Sequence, residues 1–294
     1  MNELLMAAAR RLPQPLKAAG KRWFFRGRHT GHPAMRGQGV VQDLYYWMCE
    51  PGRIDTVMLV HNFFSVFFPE HETATQGRVM VYDRDGRLLG ECPVAVPSRG
   101  LQKLRMSQVL EAIGTPAAGR PAEGSVLFQL DVPAGLRERL AELSPSFFFW
   151  HRFYIAYVTP SGQPAYVHCV DKTFVFRDDG TPPDRWYTRR GRFAWAPEMP
   201  LNIREYARLS VIMINRSPEP APVSVDVTDV DDRTRRWTQT IPPLGARRFP
   251  ITPADVEGLH PVELRLTVRG MPTRWGRPVV LKEFANGSLS VMHC

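Results

Sequence analysis

In residues 223–230, Val223-Ser224-Val225-Asp226-Val227-Thr228-Asp229-Val230, Val223, Val225 and Val227 fall at every second position. That is the period of a strand with one buried face. Six further short runs surround it: Arg208–Asn215, Arg235–Ile241, Ala246–Ile251, Val262–Val268, Pro278–Phe284 and Ser288–His293. Seven short strands separated by Pro- and Gly-containing turns, in about 95 residues, predict an immunoglobulin-like β-sandwich over residues 201–294.

Working outward, the middle of the chain repeats its end. Tyr166-Val167-His168-Cys169 matches Val291-Met292-His293-Cys294, each after a turn. Leu59-Val60-His61-Asn62 matches Met213-Ile214-Asn215, and Pro97–Gly100 matches Pro242–Gly245. Asn at a strand end can bond nearby backbone groups, and Pro-x-x-Gly stops one strand and re-aims the next. Asp83-Arg84-Asp85-Gly86 is a turn between two strands. The expectation is all-β: tandem duplicated immunoglobulin-like sandwiches, one over 39–180 with insertions and one over 201–294. Between them lies an Arg/aromatic linker, 181–200, and before them a basic helical arm, 1–38. Leu101–Ile113 reads as helix or irregular connection.

The 294 residues suffice for two domains, and 44% hydrophobic with 23% charged residues is a globular composition. No apolar run approaches the roughly 20 residues of a spanning helix. Leu4–Ala9 is too short for a secretory core. A cytoplasmic protein is therefore expected, with Cys49, Cys92, Cys169 and Cys294 as thiols. No Cys-x-x-Cys, Gly-rich phosphate loop, Gly-x-Ser-x-Gly elbow or His-Glu-x-x-His helix occurs.

Charge is segregated. Residues 1–36 hold eight Lys or Arg against Glu3, a net +7, and the remaining 30 basic and 28 acidic residues leave +2. The arm places Leu4, Leu5, Ala8, Ala9 and Leu12 at helical spacing, with Arg10 and Arg11 off that stripe. Beyond Pro13 and Pro15, Lys17, Lys21, Arg22, Arg26 and Arg28 flank Trp23, Phe24 and Phe25. Basic amphipathic segments with aromatics lie in membrane interfaces. The arm also fits a membrane protein complex, an acidic protein partner, or packing on its own domain. The near-neutral body argues against nucleic acid. Arg185, Trp186, Tyr187, Arg189, Arg190, Arg192 and Trp195 form a second contact surface, of the residue types enriched at interface centres, or the glue between the two units.

Histidines supply the alternative. His61 and His71 with Glu70 and Glu72 could hold iron or zinc, behind a wall of Phe63, Phe64, Val66, Phe67 and Phe68. The bland reading is an exposed loop over 69–73. His151, after Phe147–Trp150, lines a pocket or belongs to the core. His168 and His293 stand beside Cys169 and Cys294, but adjacent strand residues point to opposite faces, which separates each imidazole from its thiol. Asp226, Asp229, Asp231 and Asp232 fit no EF-hand spacing and read as a hairpin tip.

The second unit also resembles the small β-sandwich of sensory-rhodopsin-transducer-like proteins. The resemblance rests on Ile214-Asn215, the strand pair after it, and the Pro-rich approach Ile241-Pro242-Pro243-Leu244-Gly245-Ala246-Arg247-Arg248. It covers about a third of the chain and implies homo-oligomerisation and contact with a ligand or membrane protein rather than catalysis. The expected function is a non-catalytic adaptor, cytoplasmic and peripheral on the inner face of the cell membrane, with no cofactor. The alternative is a metal-dependent enzyme or sensor built on His61, His71, His151 and His168.

Overall fold

The computed structural model describes residues 40–115, 122–136, 139, 153–168, 194–196, 200–217, 219–270 and 278–293. The arm 1–38, His151, and Arg185 to Arg192 of the linker lie outside them. The first unit contains strands β1 (Val40–Glu50), β2 (Ile54–His61), β3 (Thr75–Asp83), β4 (Leu88–Val96), β5 (Leu101–Arg105), β6 (Ala122–Asp131), β7 (Phe153–Val158) and β8 (Pro164–His168). The second contains β9 (Ala194–Trp195), β10 (Tyr206–Ile214), β11 (Ala221–Thr228), β12 (Thr234–Ile241), β13 (Ala246–Ile251), β14 (Arg265–Arg269), β15 (Val279–Phe284) and β16 (Leu289–His293). All-β is the architecture found.

Every strand pairing is antiparallel, and the order is the same in both units. The first has β4-β3-β6-β1 and β5-β2-β7-β8, joined where Cys49 pairs Asp55 and Glu50 pairs Ile54. The second has β12-β11-β14-β9 and β13-β10-β15-β16. Counting each unit from its first strand, every strand has the same neighbours, apart from the β1–β2 join. The inner pairings are those of an immunoglobulin sandwich, where the second strand pairs the fifth and the third pairs the sixth. Its outer strands differ: β9 lies beside β14, β15 lies beside β10, and β16 lies beyond β15. The second sandwich thus takes an edge strand from Ala194–Trp195, before the start expected at 201.

Alternation along the strands fills two cores. Tyr45, Trp47, Met58, Val60, Val79, Val81, Phe128, Phe153 and Tyr157 meet in the first. Val211, Met213, Val223, Val225, Phe249, Leu266 and Val268 meet in the second, with Trp195 packed against them. Leu101–Ile113 divides at Arg105. Before it, Gln102 and Leu104 lie on one side of β5 and Leu101, Lys103 and Arg105 on the other. After it, helix α1 (Met106–Ala112) buries Met106, Val109 and Leu110, which share one helical face.

The punctuation residues act alike in both units. Asn62 Nδ2 donates to the Thr73 and Pro97 carbonyls, and Asn215 Nδ2 to those of Glu219 and Ile241. Each Asn oxygen accepts a backbone N–H, from Ser65 and Ser217. Each Asn N–H also bonds the glycine carbonyl that closes its turn, Gly100 or Gly245. Arg99 and Leu244, just before those glycines, hold positive φ of 54° and 57°. The hairpin tips match too. Asp83 accepts from the N–H groups of Asp85 and Arg87, and Asp229 from those of Asp231 and Arg233.

Candidate functional site

Where the two units meet, the sheet β4-β3-β6-β1 turns its outer side chains toward the second unit. Leu44, Met80, Tyr82 and Leu127 form one apolar cluster there, packed with Ile214 and Leu244. Ile212, Ala246, Val279 and Leu281, from the outer face of β13-β10-β15-β16, join the first core. The tip of the β3–β4 hairpin seats on the 242–245 turn. Ala246 N–H and the Arg247 guanidinium both donate to the Arg84 carbonyl, and Arg247 pairs with Asp85 at 2.7 Å. Arg216 reaches across to the Leu44 carbonyl, and Ser125 Oγ donates to that of Leu244.

Beside this apolar contact lies a chain of charges from both units. Arg248 donates to Glu50 at 2.6 Å and stands 3.0 Å from Glu123. Arg208 pairs with Glu283 at 2.5 Å and Glu50 at 3.6 Å, and Arg53 joins both carboxylates. Tyr46 donates its hydroxyl to Glu123 at 2.7 Å. Burial alone would push the Glu50 carboxyl up. The hydrogen bond and charge of Arg248, with Arg208 and Arg53, outweigh it and hold the group below its ordinary value. Burial raises the Tyr46 and Tyr157 hydroxyls, so both stay protonated at neutral pH. A cleft of about 390 Å³ opens beside the network, lined by Trp47, Asp83, Arg84, Leu89, Glu123 and Arg248. The carboxylates of Asp83 and Glu123 are already bonded there, so the arrangement secures the junction. Nothing in the sequence marked these six charges, because they are spread over five separate segments and only Glu50 and Arg53 are close in sequence.

The sequence-predicted histidines fall in two places. His61 lies at the end of β2 on the outer face of its sheet, its ring 5.8 Å from that of Tyr154. Burial lowers its pKa. His168 pairs across from Tyr154 on β8, so both imidazoles flank one tyrosine. His71 stands beyond the helical turn Phe64–Phe67, 3.2 Å from Glu70 and 6.1 Å from the Phe68 ring. Among the described residues, no three His, Cys, Asp or Glu side chains gather as a metal site would need. Phe63 and Phe64 are buried as expected, whereas Val66 is exposed. The 69–73 loop is anchored at its end. Thr73 is fully buried, with its hydroxyl on Ser65 and Ser98, and Ser98 donates to Glu72.

The acidic cluster also divides. Asp229, Asp231 and Asp232 belong to the β11–β12 tip, held by Arg233 and Arg265. Asp226 sits apart on the outer face of β11 and accepts from Arg236 at 2.6 and 2.7 Å and Arg269 at 3.0 Å. Of the expected Arg/aromatic surface only Trp195 is described, and it packs on the second core. No described helix is long and apolar enough to cross a membrane.

No protein-family model matches this chain, and neither does any curated protein sequence. Similar solved structures include a calcium-binding mutant of Bacteroides uniformis β-glucuronidase 2, at 12% identity and TM-score 0.18 over 85% of this chain and 26% of that one. A glycosyl hydrolase family 2 member from Bacteroides cellulosilyticus DSM 14838 has 9% identity and TM-score 0.19, over 87% and 28%. The tandem CBM22 domains of Paenibacillus barcinonensis Xyn10C have 9% identity and TM-score 0.15, over 81% and 87%. The chain spans about a quarter of the length of that β-glucuronidase. Similarity at this level carries no argument about fold or activity.

Proposed function

We propose that this chain is a non-catalytic binding protein, a two-unit β body brought to an anionic membrane surface, or to a protein complex there, by its basic arm. The observation that carries the reading is the division of charge, +7 over residues 1–36 against +2 over the rest. Each Lys or Arg beside an anionic surface contributes on the order of 1 kcal/mol. Trp23, Phe24 and Phe25 would anchor at headgroup depth. The apolar and ionic junction of the two units supports a body that travels as one piece. The resemblance of the second unit to transducer-like sandwiches points the same way. On this reading the protein works at the inner face of the cell membrane, and an acidic protein partner is the competing occupant of the arm.

Co-sedimentation with anionic vesicles tests it, comparing the full chain with one beginning at Gly37, at low and high salt. The expected result is salt-sensitive pelleting of the full chain that is lost without the arm. Equal pelleting of the two, or none by either, would refute the proposal.

A further inference from the structure

A sheet edge leaves a row of backbone N–H and C=O groups unpaired, and such a row is a template for another strand. Most described edges in this molecule are closed to that use. β4 carries Pro93 and a register shift at Val81/Tyr82, and β13 carries Pro250. β5 and β9 are short, and β8 and β16 lie against each other. β12 is different. Its 8 residues, Thr234–Ile241, pair with β11 without a shift and include no proline. Among the described residues, no strand lies beyond it. The outward groups can be named. Asp229 N–H bonds the Arg233 carbonyl at 3.0 Å, which makes residues 229 and 233 a hydrogen-bonded pair. Alternation then turns the N–H and C=O of Thr234, Arg236, Thr238 and Thr240 away from β11. These residues are exposed.

The two units differ at one matching position. Arg78 on β3 and Ser224 on β11 stand at the same distance before their hairpin aspartates, and they pair with Pro93 and Thr238. Asp83 N–H bonds the Arg87 carbonyl, as Asp229 bonds Arg233, so Arg78 turns its backbone toward β6 and the Pro93 nitrogen faces outward. Proline leaves β4 without an outward donor there. Threonine keeps it on β12.

We propose that β12 pairs with β12 of a second copy of this chain, antiparallel about a two-fold axis at Trp237, which joins their two β12-β11-β14-β9 sheets into one. A strand is the occupant because the unpaired groups are backbone groups at strand spacing. A second copy is the occupant because β12 is complementary to itself. About Trp237, Thr234 faces the partner's Thr240 and Arg236 faces the partner's Thr238, so every outward N–H and C=O meets its complement. No like charges stand directly opposite, and cross-strand Thr pairs are favourable. The two Trp237 residues form a non-hydrogen-bonded pair, where side chains approach most closely. Each ring already packs at the border of its own core, and ring pairs add to such a contact. An axis at Arg236 would oppose the arginines. An axis at Thr238 would set Pro242 against Thr234 and lose a donor. The inference is independent of the arm's role.

Sedimentation velocity of the full chain over a dilution series tests it, and a concentration-dependent dimer is expected. Thr238→Pro gives β12 the proline that β4 has. It removes an outward N–H, leaves the bonds to β11 in place, and should weaken the dimer about tenfold. Thr238→Val keeps the N–H and should leave the dimer intact. Unchanged circular dichroism would confirm that each variant folds. Thr234→Cys oxidised together with Thr240→Cys should cross-link beyond the level of the unsubstituted chain, since the axis sets these positions opposite each other. A monomer at every concentration, a dimer that survives Thr238→Pro, or one lost in Thr238→Val overturns the proposal. Absence of the cross-link overturns the axis at Trp237.

Discussion

Two sheet faces in this molecule occupy the same place in their units and carry opposite chemistry. Three residues before the hairpin aspartate, the first unit has Met80 and the second Asp226. One residue before it they have Tyr82 and Thr228. On the paired strand, Leu127 faces Met80 and Thr267 faces Asp226. The first face is covered by the second unit; the second face meets solvent and is tied by arginines. The fold is indifferent to the choice, since inner-face residues build both cores. What decides the outer face is whether another sheet lies on it. A β-sandwich repeat can therefore be ended, or extended, by exchanging a few side chains on one face.

The strongest way to break this contrast is to give the covered face the chemistry of the open one. Met80→Asp places a carboxylate in the cluster of Leu44, Tyr82 and Leu127, with no arginine at the positions of Arg236 and Arg269. The expected loss is about 3 to 5 kcal/mol in urea unfolding, with the single transition splitting as the units part. If unfolding stays cooperative and the midpoint hardly moves, the covered face does not hold the units together.

Next in size is Arg248→Met, which leaves the buried Glu50 and half-buried Glu123 carboxylates short of their nearest cation. A loss of about 3 kcal/mol is expected. The pH dependence gives the sign. Glu50 titrates below its ordinary value in the folded chain, so its stabilisation is complete above the ordinary carboxylate range and fades as pH falls through the depressed value. Without Arg248, burial gains weight against the remaining arginines, the Glu50 pKa rises, and acid unfolding should begin at higher pH. An unshifted acid limb would mean that Arg53 and Arg208 suffice.

Much of this was legible in the sequence, for physical reasons. Strand period, Asn-ended strands and Pro-x-x-Gly turns are local, and the seven runs read over 208–293 correspond to β10–β16. The eighth strand, Ala194–Trp195, is two residues long, too short to show a period. The β5–α1 boundary was hidden because Leu101–Ile113 mixes both periods across Arg105. The junction was invisible for another reason. Glu50, Arg53, Glu123, Arg208, Arg248 and Glu283 are ordinary surface residues by composition, and only the docking of one unit on the other gathers them. His61 and His71 lie close in sequence but part company because β2 ends at Asn62 and the chain turns away. Sequence proximity suggested a constellation, and topology instead puts His61 and His168 on strands either side of β7, with Tyr154 between them.

The finest test of the contrast lies at the two hairpin tips. Gly86 has φ 79°, and Asp232, at the same place in the second unit, has φ 61°. Both tips need left-handed backbone, yet one uses glycine and the other aspartate. The difference is the neighbour. A Cβ at Gly86 would meet the Pro243 carbonyl oxygen, because this tip is pressed into the 242–245 turn. The Asp232 side chain instead reaches Arg265 at 2.5 Å in solvent. Exchanging the two residues separates backbone preference from contact. Gly86→Asp should cost about 2 kcal/mol, from φ and from the lost seat together. Asp232→Gly relieves the backbone and gives up an exposed ion pair, for a net change within about 0.5 kcal/mol. Equal losses at both tips would show that the turn alone demands these residues, and that the junction places no constraint on Gly86.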